Sequence, residues 1–231
     1  MYYRTLQSDY SIRIHAPQVL GAKMKTNKLF ADKAVITQFI CEITIDWAKT
    51  PNQVGIFEIL CLGENRKPIV ERFTLADINK AADLALIMNE AKLNVYITIN
   101  PINPDAIIKA SSSATDKDII RAHYSFADAD NQEGLDGLIA LSNMQLPDIT
   151  VTTGTVPHER RHAYWRLIEP CLDLGIWRSK QEQIAHQFET DLRVKNASRS
   201  MRLAGTVSYP KVSKQNKGYI PELVTMKVGS N

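Results

Sequence analysis

The chain has 231 residues, three cysteines and a formal net charge of +3. This length can build one large α/β domain or two small ones, and the widely spaced cysteines exclude a disulfide framework and a zinc ribbon. The mildly basic charge permits a nucleic-acid partner without requiring one. Because there is no signal-peptide core and no run of about 20 apolar residues, we expect a cytoplasmic protein with no membrane partner.

The first elements alternate between helical and extended patterns. Residues 1 to 30 are polar and weakly patterned, and we interpret them as an N-terminal arm. Apolar residues then recur at helical spacing from Ala31 to Trp47, which predicts a helix with one buried stripe. Runs of strand-forming residues at 54 to 62 and 69 to 73 flank turn residues and predict a hairpin.

A second helix and strand follow the hairpin. Thr74 with Asp77 resembles a capping box at the start of the helix. The pattern then predicts a strand from Leu93 to Ile99, a connection over residues 100 to 115, and a short helix near Asp116 to Ala122.

The most informative stretch is the strand predicted over residues 124 to 130. Side chains on a strand alternate between faces, so Phe126, Asp128 and Asp130 share one face, and the small residues between them let a helix pack closely on the other. Two carboxylates on one face form a cradle for Mg²⁺ or Mn²⁺. Two solvated aspartates at a strand end would produce the same pattern.

The remaining elements continue the alternation. They are a helix from Leu135 to Met144, strands from Asp148 to Thr153 and from His162 to Leu167, a helix capped by Ser179 and Glu182 with the stripe Ile184, Phe188 and Leu192, and an extended segment from Tyr219 to Val228. This order predicts a two-layer α/β or α+β fold with a mixed sheet.

Residues 158 to 162 match the H-E-x-x-H pattern of zinc hydrolases. On a helix, His158 and His162 would bind Zn²⁺ and Glu159 would act as general base. The flanking residues instead favour a turn and a strand, and no convincing third ligand follows. The same region, with Tyr164 and Arg160, can recognise phosphate, so the zinc hydrolase stays open as an alternative.

A basic cluster lies further along the chain, between Asn196 and Thr206. Arg199 and Arg202 are three residues apart, and Lys211 follows the cluster. Arginine forks match phosphate oxygens, although a solvated basic loop would have the same composition.

Three ordered motifs resemble those of the archaeo-eukaryotic primase superfamily. Phe126-Ala127-Asp128-Ala129-Asp130 resembles its hydrophobic-Asp-hydrophobic-Asp first motif, His162-Ala163-Tyr164-Trp165 its second motif, and Arg202-Leu203-Ala204-Gly205-Thr206 the end of its third. The resemblance covers residues 54 to 228 and is greatest for the RepB-like and bifunctional primase-polymerase branch of plasmids, phages and mobile elements.

The resemblance implies a primase-like catalytic core with a mixed or antiparallel RRM-like sheet flanked by helices. It implies a catalytic domain over residues 31 to 231, with an N-terminal α/β subdomain at 31 to 115 and an RRM-like catalytic subdomain at 116 to 231. The implied activity is nucleotidyl transfer from (d)NTPs on a single-stranded DNA template, with two Mg²⁺ or Mn²⁺ ions and no structural zinc. Since no G-x-x-x-x-G-K-[ST] motif is present, we expect a separate or fused replicative helicase as partner.

The resemblance also implies roles for individual residues. Asp128 and Asp130 would be catalytic metal ligands, and Asp191 is taken as the third because Asn196 stands where many members have an aspartate. The nucleotide-binding residues would be His162, ranked above His158, with Arg160, Tyr164, Arg199, Arg202 and Lys211. The alternative of a non-catalytic nucleic-acid-binding replication module needs basic and aromatic residues but no convergent acids.

Overall fold

Two four-stranded sheets form the framework of the described chain. The computed structural model describes residues 29–49 and 54–229. Residues 1 to 28 of the predicted N-terminal arm lie outside these ranges. No helix within the described ranges is long and apolar enough to cross a membrane.

The helices and strands follow one another with short connections, apart from the long connection that precedes β4. They are α1 (Lys33–Thr44), β1 (Phe57–Leu62), β2 (Ile69–Phe73), α2 (Ile78–Glu90), β3 (Asn94–Thr98), β4 (Ala122–Ala129), α3 (Gln132–Met144), β5 (Ile149–Gly154), β6 (Arg160–Cys171), α4 (Leu174–Gln187), β7 (Ser200–Arg202), β8 (Val207–Ser208), α5 (Val212–Gln215), β9 (Glu222–Leu223) and β10 (Thr225–Val228).

All the strand pairs are antiparallel. The first sheet has the order β2-β1-β3-β7, the second has the order β10-β5-β6-β4, and β8 pairs with β9 in a separate ribbon. Strand β7 comes late in the chain but completes the first sheet beside β3. The prediction of an α+β fold with a sheet framework flanked by helices is therefore confirmed.

Helix α1 lies in the main apolar core. It begins after Asp32, whose carboxylate accepts hydrogen bonds from the Ala34 and Val35 amides at 2.9 and 3.2 Å, as a good N-cap does. The predicted stripe of Ile36, Phe39, Ile40, Ile43 and Trp47 is fully buried. The Phe39 ring meets the Tyr164 ring edge-on at 5.9 Å, which ties α1 to β6 of the second sheet.

A smaller core lies on the other face of the second sheet. Ala127 and Ala129 of β4 pack there with Leu135 and Leu138 of α3. The prediction that small residues between the acids allow close helix packing is confirmed. The acid-bearing strand is therefore held from both sides.

Two local predictions are wrong near the ends of elements. The helix predicted near Asp116 to Ala122 is only a 3₁₀ turn at Asp116–Asp118, because β4 already begins at Ala122. Thr74 does not cap a backbone amide, because its hydroxyl donates instead to the Asp77 carboxylate at 2.7 Å.

The prediction for α4 is also wrong in detail. The helix begins after Asp173, whose carboxylate accepts from two backbone amides, so Ser179 and Glu182 lie inside it. Its buried face consists of Trp177, Gln181 and Ala185, not of the predicted stripe Ile184, Phe188 and Leu192. The buried face includes a glutamine because that side chain finds a backbone partner on β4.

Candidate active site

Two paired strands bring the first acid and the histidine of the motifs together. Asp128 of β4 lies opposite His162 of β6, and Phe126 lies opposite Tyr164. His162 Nε2 is 3.5 Å from Asp128 Oδ1, and His162 Nδ1 is 3.2 Å from the Tyr164 hydroxyl. Asp130 follows the end of β4, and its side chain is 44% exposed.

The surroundings of Asp128 suit a bound cation. Its Oδ1 atom is buried and has no hydrogen-bond partner. Burial raises the pKa of Asp128, and the nearby carboxylates of Asp130 and Asp191 raise it further. Burial and then the Arg202 guanidinium lower the pKa of His162 to about 3, so the imidazole is neutral near pH 7 and cannot neutralise Asp128.

Asp191 reaches the site along the free edge of β4. Alternate carbonyls of this strand receive donors from outside the sheet: Trp177 Nε1 donates to Tyr124 O at 2.9 Å, Gln181 Nε2 donates to Phe126 O at 2.7 Å, and the Asp191 amide donates to Asp128 O at 2.9 Å. These bonds satisfy an edge that would otherwise be unpaired. Helix α4 and the chain after it thus bring Asp191 next to Asp128.

Asn196 lies elsewhere, although it stands where many members of the primase superfamily have an aspartate. Its Nδ2 atom is 3.1 Å from Asp116 Oδ2, in a cluster that also fixes Ser198. Asp191, in contrast, lines the same cavity as Asp128 and Asp130. The three predicted metal-ligand acids therefore share one cavity.

The acids do not form a complete metal cage as they stand. In the described parts of the chain, no group of three acidic, histidine or cysteine side chains is arranged to hold a metal ion. Asp191 is paired with Arg193 at 2.9 Å. The unpartnered oxygen of Asp128 and the half-exposed carboxylate of Asp130 nevertheless fit a hard divalent cation, which prefers oxygen ligands.

Basic residues form the opposite wall of this cavity of about 350 Å³. Arg199, Arg202 and Lys211 all line it, as the sequence motifs predict. Arg199 Nε is buried without a hydrogen-bond partner, so this donor is available to an anionic ligand. The cavity therefore combines carboxylates on one side with cations on the other.

Arg202 is held by residues of β3. Its guanidinium donates to Asn94 Oδ1 at 2.6 Å and to the Tyr96 hydroxyl at 2.9 Å, and it lies 4.8 Å from the centre of the Tyr96 ring. Neither Asn94 nor Tyr96 belongs to a sequence motif. Their alternation along β3 could have placed them on one face, but only the pairing of β7 with β3 puts Arg202 beside them.

The glycine and threonine of the third motif serve the fold. Gly205 has a φ of +82°, and an added Cβ would collide with the backbone of Asp32 and Ile36 at the start of α1. The buried Thr206 hydroxyl donates to Leu203 O at 2.6 Å. Within the Arg-Leu-Ala-Gly-Thr run, only Arg202 lines the cavity.

Arg160 also lines the cavity, but its guanidinium is engaged in the loop before β6. It donates to the carbonyls of Val156 and His158 at 2.7 and 3.0 Å, and it pairs with Glu222 at 3.0 Å. It also stacks over the Tyr219 ring at 4.7 Å. Arg160 therefore joins β6 to the C-terminal ribbon.

His158 and Tyr164 are not in the wall of the cavity. His158 Nε2 donates to the Asp130 carbonyl at 2.8 Å, and Tyr164 is fully buried beneath His162. The H-E-x-x-H run is not helical, since β6 begins at Arg160. The helical geometry that a zinc hydrolase requires of this motif is not formed.

Several cavity residues were missed in the motifs. Arg193, Lys214 and Tyr219 all line the cavity. Lys214 lies 3.8 Å from Asp130 and 5.2 Å from the centre of the Tyr219 ring. Arg193 follows Asp191 by two residues, and this spacing is the one local signal that could have identified it.

Comparisons with known proteins find similarity in structure but not in sequence. No family model and no curated protein matches the chain. The AEP domain of the cyanophage S-2L primase-polymerase superposes with a TM-score of 0.59 and 18% identity, over 87% of this chain and 92% of that one.

Two solved structures of the primase RepB′ also match. One has a TM-score of 0.54 and 14% identity over 83% of this chain and 56% of that one. The other, its catalytic domain in complex with initiator DNA, has a TM-score of 0.52 and 13% identity over 83% of this chain and 84% of that one. The chain therefore has the archaeo-eukaryotic primase fold, in the form found in RepB-like and phage primase-polymerase domains.

Proposed function

We propose that this chain is the catalytic domain of a DNA primase or primase-polymerase, which joins nucleotides from (d)NTPs on a single-stranded DNA template. The observation that carries the proposal is the cavity in which Asp128, Asp130 and Asp191 face Arg199 and Arg202. A chain with the primase fold that only bound nucleic acid would need the cations but not three convergent acids. The similarity to a primase domain in complex with initiator DNA supports DNA as the template.

The three acids would hold two Mg²⁺ or Mn²⁺ ions. When bound, these ions supply Lewis-acid activation of the attacking 3′-hydroxyl and offset charge on the transferred phosphate. Asp128 is suited to this role because its Oδ1 is buried without a donor. Asp130 is accessible at the strand end, and Asp191 is fixed beside Asp128 by its backbone amide.

The basic wall would bind the triphosphate of the incoming nucleotide. Arg199 has a free buried donor, and Arg202 is oriented by Asn94 and Tyr96, so both guanidiniums are positioned before the ligand arrives. Lys211 adds an exposed charge at the rim of the same cavity. His162, neutral and close to Asp128, is suited to a hydrogen bond with the nucleotide phosphates.

The remaining parts of the proposal concern organisation and partners. We propose the N-terminal α/β subdomain at residues 31 to 115 and the RRM-like catalytic subdomain at 116 to 231 as the two parts of the domain. A replicative helicase, separate or fused, would supply the unwound template. Plasmid, phage or mobile-element replication is the setting that the matched domains favour.

Primer synthesis on single-stranded DNA tests this function. Labelled nucleoside triphosphates should be incorporated in Mg²⁺ or Mn²⁺, and Asp128→Asn should lower the rate by about two to three orders of magnitude, as loss of a preorganised electrostatic element does. Asp105→Asn, in an exposed loop, is the matched control.

The outcomes of this assay separate the alternatives. Incorporation by the wild type and by Asp105→Asn, with loss in Asp128→Asn, supports the primase. DNA binding by the wild type without incorporation in either metal would favour the non-catalytic replication module. Incorporation by Asp128→Asn within tenfold of the wild-type rate, a far smaller loss than the electrostatic argument requires, would rule out the assigned site.

A further inference from the structure

The carboxylate of Asp191 is fully occupied by a neighbouring side chain. The Arg193 backbone amide donates to Oδ1 at 2.9 Å, Arg193 Nε lies 3.0 Å from Oδ1 and 3.1 Å from Oδ2, and Arg193 Nη2 donates to Oδ2 at 2.9 Å. A carboxylate offers about four lone-pair positions, and these four contacts use them. A metal ion cannot bind Asp191 without displacing Arg193.

The other two acids of the cavity are open by comparison. Asp128 Oδ1 has no hydrogen-bond partner, and the ion pair of Asp130 with Lys214 is long, at 3.8 Å. A first divalent ion can therefore bind at Asp128 and Asp130 without breaking a close contact. A second ion that needs Asp191 must compete with a bidentate guanidinium pair.

Arg193 is able to leave this pair. Its side chain is 75% exposed, whereas that of Asp191 is only 13% exposed, so the arginine can turn towards solvent while the acid stays in place. An ion pair with one exposed partner contributes little stability, about 1 kcal/mol or less. Arg193 also lines the cavity together with Arg199 and Arg202, so it stays within the basic wall after release.

We infer that Arg193 is an internal competitor for the second metal ion. It occupies Asp191 in the nucleotide-free protein and exchanges this carboxylate for phosphate oxygens when a metal-bound nucleotide enters. The complete pair of ions is then assembled only with substrate in place. This inference rests on the proposed function, and it assigns to Arg193 a positioning role that acts through Asp191.

Titration of the nucleotide-free protein with Mn²⁺ tests the competition. Free Mn²⁺ is measured by electron paramagnetic resonance, which counts bound ions without any turnover. We expect one tighter site and one weak site in the wild type, and we expect Arg193→Gln to raise the affinity of the weak site roughly fivefold to tenfold, as removal of a bidentate ion pair predicts.

Lys214→Gln is the matched control for charge. It removes one positive charge from the same cavity but leaves the pair of Asp191 with Arg193 intact. It should change the affinity of the weak site by no more than about twofold, as expected for a long and half-exposed ion pair. An equal gain in Arg193→Gln and Lys214→Gln would overturn the inference, because the effect would then reflect the overall charge alone.

A double-mutant cycle isolates the role of Asp191. In an Asp191→Asn background, Arg193→Gln should no longer change Mn²⁺ affinity, because the contested carboxylate is gone. A full gain in that background would also overturn the inference. The Arg193 Nε–H resonance gives a second readout: it should shift when Mg²⁺ and nucleotide are added together and stay in place with low Mg²⁺ alone.

Failure of this inference is distinguishable from failure of the proposed function. If primers are made but Arg193→Gln binds Mn²⁺ as the wild type does, Arg193 is not a competitor and the primase assignment stands. If Arg193→Gln gains the second ion but no primer is made under any condition, the competition stands and the primase assignment is lost.

Discussion

The two halves of the cavity are built in different ways. Asp128 and His162 lie on adjacent strands, and the register of β4 with β6 sets their separation. The other half, from Asp191 to Arg202 and from Ser208 to Ile220, consists mostly of loops and very short elements. A strand pair repeats many backbone hydrogen bonds, whereas the loop half depends on a few side-chain contacts, so the loop half is the part that can change partners.

Side-chain amides replace strand pairing in the loop half. Asn89 exchanges two hydrogen bonds with the backbone of Val207, at 2.9 and 2.7 Å, and Asn94 does the same with Tyr209, at 2.8 Å each. Each asparagine thus presents a donor and an acceptor to the chain as a neighbouring strand would. The loop wall is anchored at these points, and Lys211 and Lys214 lie beyond them.

The largest effect that can test this contrast is expected at Asp191, the acid of the loop half. Asp191→Asn should retain nucleotide binding but lower the rate of transfer by about two orders of magnitude, since a transition-state electrostatic element is removed. Single-turnover primer extension, together with equilibrium nucleotide binding, measures the two quantities separately. A near-normal rate would mean that the strand half alone carries the chemistry.

A smaller effect should separate the two histidines. His162→Ala should raise the nucleotide KM about tenfold, the effect of one hydrogen bond to a charged group, while His158→Ala should change it less than about threefold. The reason is that His162 lines the cavity, whereas His158 binds the Asp130 carbonyl. Steady-state extension at varied nucleotide concentration measures both, and a larger rise for His158→Ala would reverse the assignment.

The smallest effect concerns the join between the halves. Gln181→Ala removes the donor to the Phe126 carbonyl on the edge of β4 and should lower the free energy of unfolding by about 1 kcal/mol. Gln183→Ala, on the exposed face of the same helix, is the control and should leave it unchanged within about 0.5 kcal/mol. Urea denaturation measures both, and equal stability of the two variants would mean that the edge contact is not stabilising.

Period-two alternation made the strand half predictable. It put Asp128 on the face opposite Ala127 and Ala129, and it put His162 and Tyr164 on one face of β6. The buried stripe of α1 was predictable for the same kind of reason, because helical spacing alone selects one face. These patterns are local and need no knowledge of what packs against them.

The contacts of single residues in the cavity were less predictable. The sequence motifs assign Arg160 and Tyr164 to the nucleotide, yet the Arg160 guanidinium is engaged by Val156, His158 and Glu222, and Tyr164 is buried. A residue type and its spacing indicate which ligand it could bind. They do not indicate which protein groups already bind it.

The sequence by itself determined the alternating order of helices and strands, the two acids at the end of β4 and the stripe of α1. Tertiary structure alone decided that β7 completes the first sheet, that α4 buries Gln181, and that Asp191 rather than Asn196 lies beside Asp128. The physical reason is that alternation is a property of neighbouring residues, whereas the partner of a free strand edge depends on whichever distant segment packs against it.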